Sequence, residues 1–376
     1  MSHVGDVAEG RGSGDGGDEK MKKFLMLIWK FCRYLFWSQR RTKETMAYTI
    51  ATAFDLIKKE FEENEMDSLV DVFLAKADYS TKWVLYSDYC LDDDKKPNDV
   101  VTFVLVPYLG EEKYHEMDTT IHETQPKDIK KARNVSDDFM KYIKQQSVFC
   151  YSFIVKDRKK LFGKTHEERI ESVTELLNEV KRGIGIWKRN ATGMEPIDYY
   201  DGLIKKLDRL IKEITPKKNI KEHMDILLIT LLGAFCTAQI LKKCPKLEVI
   251  GWFPDRDAIN EACDKIAFPL FYVFLYNHIG GTQYQQTMPK PDNTVVPFYD
   301  NFNRIADVIC GTIADYDMKN NVVSKEKFSE VLRGLIADNM FIRTYRLSVN
   351  DENVNLGTIQ ISMKPFENNR GESGEE

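Results

Sequence analysis

KWVLYSDYCLDDDKKPNDVVTFVLVPY, residues 82–108, decides the fold. Its ends, Lys82 to Cys90 and Val100 to Tyr108, are dense in β-branched and aromatic residues; its middle, Leu91 to Asp99, is acidic and carries Pro97 and Asn98. Two apolar runs joined by such a turn predict a hairpin of two core strands. Asp88 is a single acid near the end of the first run. It is either the first solvated residue of a strand that simply ends, or a carboxylate at the tip of a core strand whose partners come from elsewhere in the chain.

Outward from the hairpin, a charged helical segment around 128–145 leads to SVFCYSFIVK (147–156), a third predicted strand. Residues 165–215 read as a charged helical insert, with Leu203, Leu207, Leu210, Ile211 and Ile214 along one face of its second helix and Pro216 ending it. HMDILLITLLGAFCTAQILKKC (223–244) is apolar nearly all round. Its length approaches a bilayer span, but Thr230, Thr237 and Gln239 interrupt it, and it is taken as a buried core helix. KLEVIGWFPDRD (246–257) predicts a fourth strand ending in acids, 258–278 a helix, and TVVPFYD (294–300) a short fifth strand. Helices over 301–317 and 324–339 and two short strands, 341–349 and 354–363, close the order. Upstream, residues 44–80 form a helical lead-in, with apolar spacing over 45–61. Residues 1–20, rich in Gly, Asp, Glu and Ser, and the tail 367–376 are expected to be disordered. The reading is therefore one α/β domain over 82–364.

The chain has 376 residues, 43% of them hydrophobic, enough for a large core. A net charge of −5 argues against wrapping nucleic acid by bulk charge, though not against a local basic channel. Its seven cysteines include no C-x-x-C pair and its six histidines show no metal-ligand spacing. This pattern points to a reducing, cytoplasmic setting without a disulfide framework or zinc knuckle. MKKFLMLIWKFCRYLFWSQRRTK (21–43) is basic and aromatic with no acid. Charge interrupts it too often for a bilayer span, and it is either an interfacial helix, peripheral at a membrane surface, or a helix that packs on the body or on a protein partner. The oligomeric state is left open.

An antiparallel meander followed by helix-linked strands is the order of an RNase H-like mixed sheet flanked by helices, here with extra N-terminal helices and a helical insert. Such a sheet can gather acids from different elements at one edge. Asp88 ends strand one; Asp255 follows the fourth strand, with Asp257 two residues on; Asp300 ends the fifth strand; Asp307 lies in the next helix between Ala306 and Val308. Singly, each is as well explained as a turn former or helix cap, and Arg256 and Arg304 are near enough in sequence for structural ion pairs. Jointly, Asp88, Asp255 and Asp307 are candidate catalytic metal ligands, with Asp257 or Asp300 as a further acid. Oxygen donors suit Mg²⁺ or Mn²⁺.

The closing helix NRIADVICG (303–311), with Ala306, Asp307 and Gly311 in register, the strand LEVIGWFPD ending in Asp255, SVFCYSFIVKD, and the opening LYSDYC resemble a bacterial RNase H-like family, the domain-of-unknown-function family numbered 3800. Of that family's Asp-Glu-Ser-Gly opening only Asp88 is kept; Tyr89 stands in place of its Glu, and Arg304 in place of the Gln of its closing helix. The resemblance runs over 82–317. It implies a nuclease-like fold and a setting in mobile elements or antiviral defence. The expectation is a metal-dependent nuclease acting on nucleic acid, with KDRKKLFGK (156–164) as a phosphate-contacting run or a solvated loop. The alternative is a decayed scaffold that binds partners through residues 21–43 and the helical insert.

Overall fold

The computed structural model describes residues 55–59, 61, 66–190, 195–217, 219–255, 258–280, 282–288, 299–350 and 354–363. The basic aromatic segment 21–43, the two termini and Asp257 lie outside them. In chain order the elements are α1 (Met66–Lys76), β1 (Lys82–Cys90), β2 (Val100–Pro107), α2 (Glu111–Thr124), α3 (Asp137–Gln145), β3 (Phe149–Lys156), α4 (His166–Asn190), α5 (Ile197–Glu213), α6 (Lys221–Leu241), β4 (Val249–Pro254), α7 (Ala258–Lys265), α8 (Ala267–His278), β5 (Gln285–Thr287), α9 (Asp300–Asp315), α10 (Glu326–Val331), β6 (Ile342–Val349) and β7 (Val354–Ile359).

The seven strands form one mixed sheet in the order β5-β4-β1-β2-β3-β6-β7. β1, β2 and β3 are an antiparallel meander; β4 lies parallel to β1, β5 parallel to β4, β6 parallel to β3, and β7 antiparallel to β6. Helices cover both faces, which is why β2 is buried at every position and reads as a continuous apolar run. Alternation along each strand sorts side chains between two cores. Trp83, Leu85, Phe103, Phe149 and Phe153 meet α1, α4, α5, α6 and α8. Tyr86, Cys90, Val104, Cys150 and Ile154 meet α2, α3, α9 and α10.

The apolar helix α6 lies inside the first core, against α8 and β2. The insert is not a projecting arm: Leu177, Ile184 and Trp187 of α4 and Leu203 and Leu207 of α5 are buried in that same core, where Trp187 meets Tyr276 edge-on at 5.0 Å. Two further expectations are corrected. The helix expected over 128–145 is α3 alone, because Ser136 caps it by accepting from the Asp138 N–H; residues 125–136 are a loop. Asp300 does not end a strand but opens α9, and the fifth strand is Gln285–Thr287. Residues 291–298, where most of that strand was expected, lie outside the described ones.

Nor is the run 156–164 simply a solvated loop. Arg158, 5% exposed, donates to Asp225 of α6 at 2.8 Å and pairs with Asp92 and Asp99 of the β1–β2 turn. Lys221 adds a bond to Asp92 at 2.6 Å. The guanidinium thus joins the turn, the end of β3 and the start of α6. Burial pushes the Asp225 carboxyl up, and Arg158 opposes that push. Removing one partner of a buried ion pair leaves the other charge unpaired. Arg158→Met is therefore expected to cost about 3–5 kcal/mol in urea unfolding, and Asp225→Asn in the same chain is expected to return part of it.

Candidate functional site

The parallel pairing of β1 with β4 brings the first two acids together. Tyr86 pairs with Phe253 and Ser87 with Pro254. The Asp255 N–H donates to the Ser87 carbonyl at 2.9 Å, carrying the ladder one residue further. Asp255 therefore falls beside Asp88. Tyr86 and Phe253 both face the second core, so alternation sends Asp88 and Asp255, two residues on, to that same side. α9 packs across β1 and β2 there and supplies Asp307, 7% exposed. Three acids distant in sequence thus come from one strand, the end of its neighbour, and a helix.

Their electrostatics record the convergence. Burial pushes the Asp88 carboxyl well up, Asp307 and Asp255 push it further, and Lys130 and the Tyr89 N–H act against them. Asp307 is raised by burial and by Asp255, against the Ile129 N–H, Arg304 and Lys130. A like charge close by and loss of solvent both disfavour the ionised form. Beneath α9 the sheet is also polar. The register aligns Asp88 with Thr102, Thr102 with Ser152, and Ser152 with Thr344, across four strands. All three hydroxyl residues are buried, and the Thr102 and Ser152 hydroxyls are 2.9 Å apart.

The loop 125–136 forms a strap over this edge. The Ile129 N–H donates to Asp307 Oδ2 at 2.6 Å. Asp128 pairs with Arg304 of α9. Lys327, 5% exposed, reaches up from α10 and donates to the carbonyls of Ile129 and, at 2.8 Å, Ala132. Gly311 makes the approach possible: a Cβ there would stand 2.9 Å from Ile129 Cγ2. Asp307 and Gly311, one turn apart on α9, are the carboxylate that accepts from the strap and the gap that admits it. Lys130, exposed at the outer edge of the strap, is lowered by burial of its stem but raised overall by Asp88, Cys90, Asp307 and Cys310.

The other candidates sort differently. Asp300 pairs with Arg304 at 3.3 Å. It lies seven residues before Asp307, about 10 Å along the helix axis, and so stands apart from the cluster. Arg304 takes Asp128 and Asp300 as its ion-pair partners, not Asp307, so the anticipated neutralisation of Asp307 by Arg304 does not occur by direct contact. Two residues escaped the sequence reading. Lys130 sits in KDIKKAR, which looks like any solvated charge run. Asn303, one turn before Asp307 and on the same helix face, is 3% exposed, and neither of its carboxamide atoms has a hydrogen-bond partner among the described residues. Its signal was spacing: Asn303, Asp307 and Gly311 recur every four residues.

The donor set is all oxygen, which suits a hard divalent cation, and the unpartnered Asn303 carboxamide adds a neutral oxygen to it. Among the described residues, however, no three His, Cys, Asp or Glu side chains stand within reach of one ion as they are placed. The donor types are those a hard cation takes, but as placed they do not group around one. No protein-family model matches the chain, and no curated protein or solved structure does.

Because the raised Asp88 carboxyl keeps a proton that the unfolded chain releases, its contribution to stability is complete below about pH 4 and is lost as pH rises toward its folded pKa. In chelator, Asp88→Asn is expected to flatten this part of the denaturant-midpoint profile and to be more stable than the native sequence at pH 7. The strap has its own test. Gly311→Val should crowd Ile129 at a cost of about 1–3 kcal/mol, speeding hydrogen exchange of the Ile129 amide by roughly tenfold or more, and adding Ile129→Ala should restore protection.

Proposed function

We propose that this protein is an RNase H-like, metal-dependent nuclease that hydrolyses phosphodiester bonds in nucleic acid. The observation that carries the reading is the approach of Asp88, Asp255 and Asp307, from three separate elements, on one face at one edge of the sheet. The topology supports it: a three-stranded antiparallel meander, with two further strands added in parallel on the β1 side, is the sheet expected of that fold. The resemblance of NRIADVICG and LEVIGWFPD to the family numbered 3800 supports it independently of the geometry.

In this reading Asp88, Asp255 and Asp307 hold Mg²⁺ or Mn²⁺, with the Asn303 carboxamide as a neutral donor. A bound divalent ion would lower the pKa of a water and take up charge on the leaving oxygen. The chain prepares for it in two ways. Crowding raises the carboxyl groups, so that entry of a cation releases bound protons and relieves repulsion. The Ile129 N–H fixes one oxygen of Asp307 and so orients the other. The fully buried β2 strand beneath supplies a rigid floor.

A decayed scaffold is the second reading. It is favoured by the lack, among the described residues, of three such side chains already within reach of one ion. Cleavage of single-stranded and duplex DNA and RNA in Mg²⁺ or Mn²⁺ separates the two. The nuclease reading expects cleavage that EDTA abolishes and that Asp88→Ala or Asp307→Ala lowers by about 100-fold or more. Cleavage indifferent to these changes, or failure of the native chain to bind any divalent ion in calorimetry, would leave the scaffold.

A further inference from the structure

The ladder between β1 and β4 stops where the acids begin. Its paired register ends at Ser87 and Pro254, and the Asp255 N–H carries it one bond further, to the Ser87 carbonyl at 2.9 Å. The N–H and C=O of one strand residue point to the same neighbour, so the next bond of a parallel ladder would run from the Tyr89 N–H to the Asp255 carbonyl. Both groups are used otherwise. The Tyr89 N–H bonds the Asp88 carboxylate. The Asp255 carbonyl accepts from Nδ2 of Asn260, a buried residue of α7, at 2.8 Å. A buried carbonyl left without a donor carries a desolvation cost, and the Asn260 carboxamide removes it.

This exchange holds the Asp255 backbone at two points beyond the last paired residue. β5 pairs with β4 only over Val249 to Gly251, so past Gly251 only β1 flanks the strand. Asn260 supplies the second hold from α7. The first hold is itself braced on the opposite face, where the Ser87 hydroxyl accepts from Trp252 Nε1 at 3.0 Å and lies 2.6 Å from the Tyr89 hydroxyl. Each of the three acids is thus set by a neutral N–H: Asp307 by Ile129, Asp88 by Tyr89, and Asp255, through its peptide, by Asn260.

We propose that Asn260 is a positioning residue of the site: it takes the carbonyl that the ladder leaves open and so keeps the Asp255 carboxylate beside Asp88. The chemical consequence rests on the nuclease reading; the hold itself does not. A carboxamide suits the role because it donates without carrying charge, whereas a lysine or arginine here would compete for the carboxylates.

The test is amide hydrogen exchange of the full chain, with cleavage of a mixed-sequence oligonucleotide in Mn²⁺ alongside. Asn260→Leu keeps the side-chain shape and removes the donor. Exchange at the Asp255 amide should rise about tenfold, while the β4 and α7 amides keep their native rates and so report an intact fold. Its kcat should fall about 100-fold at an unchanged KM. Asn260→Gln, which retains the donor, should return Asp255 exchange toward the native rate. Faster exchange confined to α7 would make Asn260 a helix cap and overturn the proposal. So would a native rate at Asp255, or unchanged cleavage by an active chain. If the native chain cleaves nothing, the nuclease reading falls on its own, and exchange at Asp255 still decides whether Asn260 holds that acid in place.

Discussion

The parallel pairing of β1 with β4 is the constraint on which the candidate site depends. It sets Ser87 against Pro254 and so fixes Asp255 beside Asp88. A slip of one residue would send the Asp255 side chain to the opposite face of the sheet, under α6 and α8, where no α9 waits. The register is held by burial on both faces: Trp252 packs on Phe271 at 4.7 Å and donates to the Ser87 hydroxyl at 3.0 Å on one side, while Phe253 packs on Tyr299 at 5.0 Å on the other. Gly251 is part of the same fit, since any Cβ there would meet the Phe253 ring and Thr287.

A second layer of constraint comes from α9. Ile305 and Ile309 bury against the sheet, and the turns between them turn Arg304, Asp307 and Gly311 toward the strap. A helix can do this because residues three and four apart share a face. The strap then closes the edge from above, and buried Lys327, among the carbonyls of Ile129 and Ala132, secures it from α10. The result places three mutually repelling carboxylates in partial burial, a destabilising arrangement that the surrounding cores must offset. Such local conflict between charge and burial is more often kept for chemistry than for stability, although structural ion networks produce it too. The Arg158 cluster is an example of the latter: its acids converge on one guanidinium, whereas Asp88, Asp255 and Asp307 converge on one another.

The amino-acid sequence by itself determined most of the elements. β1, β2, β3 and β4, the apolar α6 and the amphipathic α5 all carry strong local patterns, because a strand buried on both faces must be apolar throughout and a half-buried helix must be striped. Asp88, Asp255 and Asp307 were also visible, each as an acid that breaks or follows an apolar run. Where the pattern was weak, the reading failed. β5, Gln285–Thr287, is a short edge strand with no apolar residue to mark it, while the β-branched TVVPF nearby drew the strand away from it. The strap was hidden because its backbone is fixed by partners 175 or more residues away, such as Asp307 and Lys327, and long-range contacts leave no period in the local sequence. Only the tertiary structure decided that Asp255 stands beside Asp88, that Asp300 belongs to Arg304, that the insert is part of the core, and that the loop 125–136 is tied to Asp307. Each follows from register, helix phase or loop closure, properties of several segments at once that no single segment encodes.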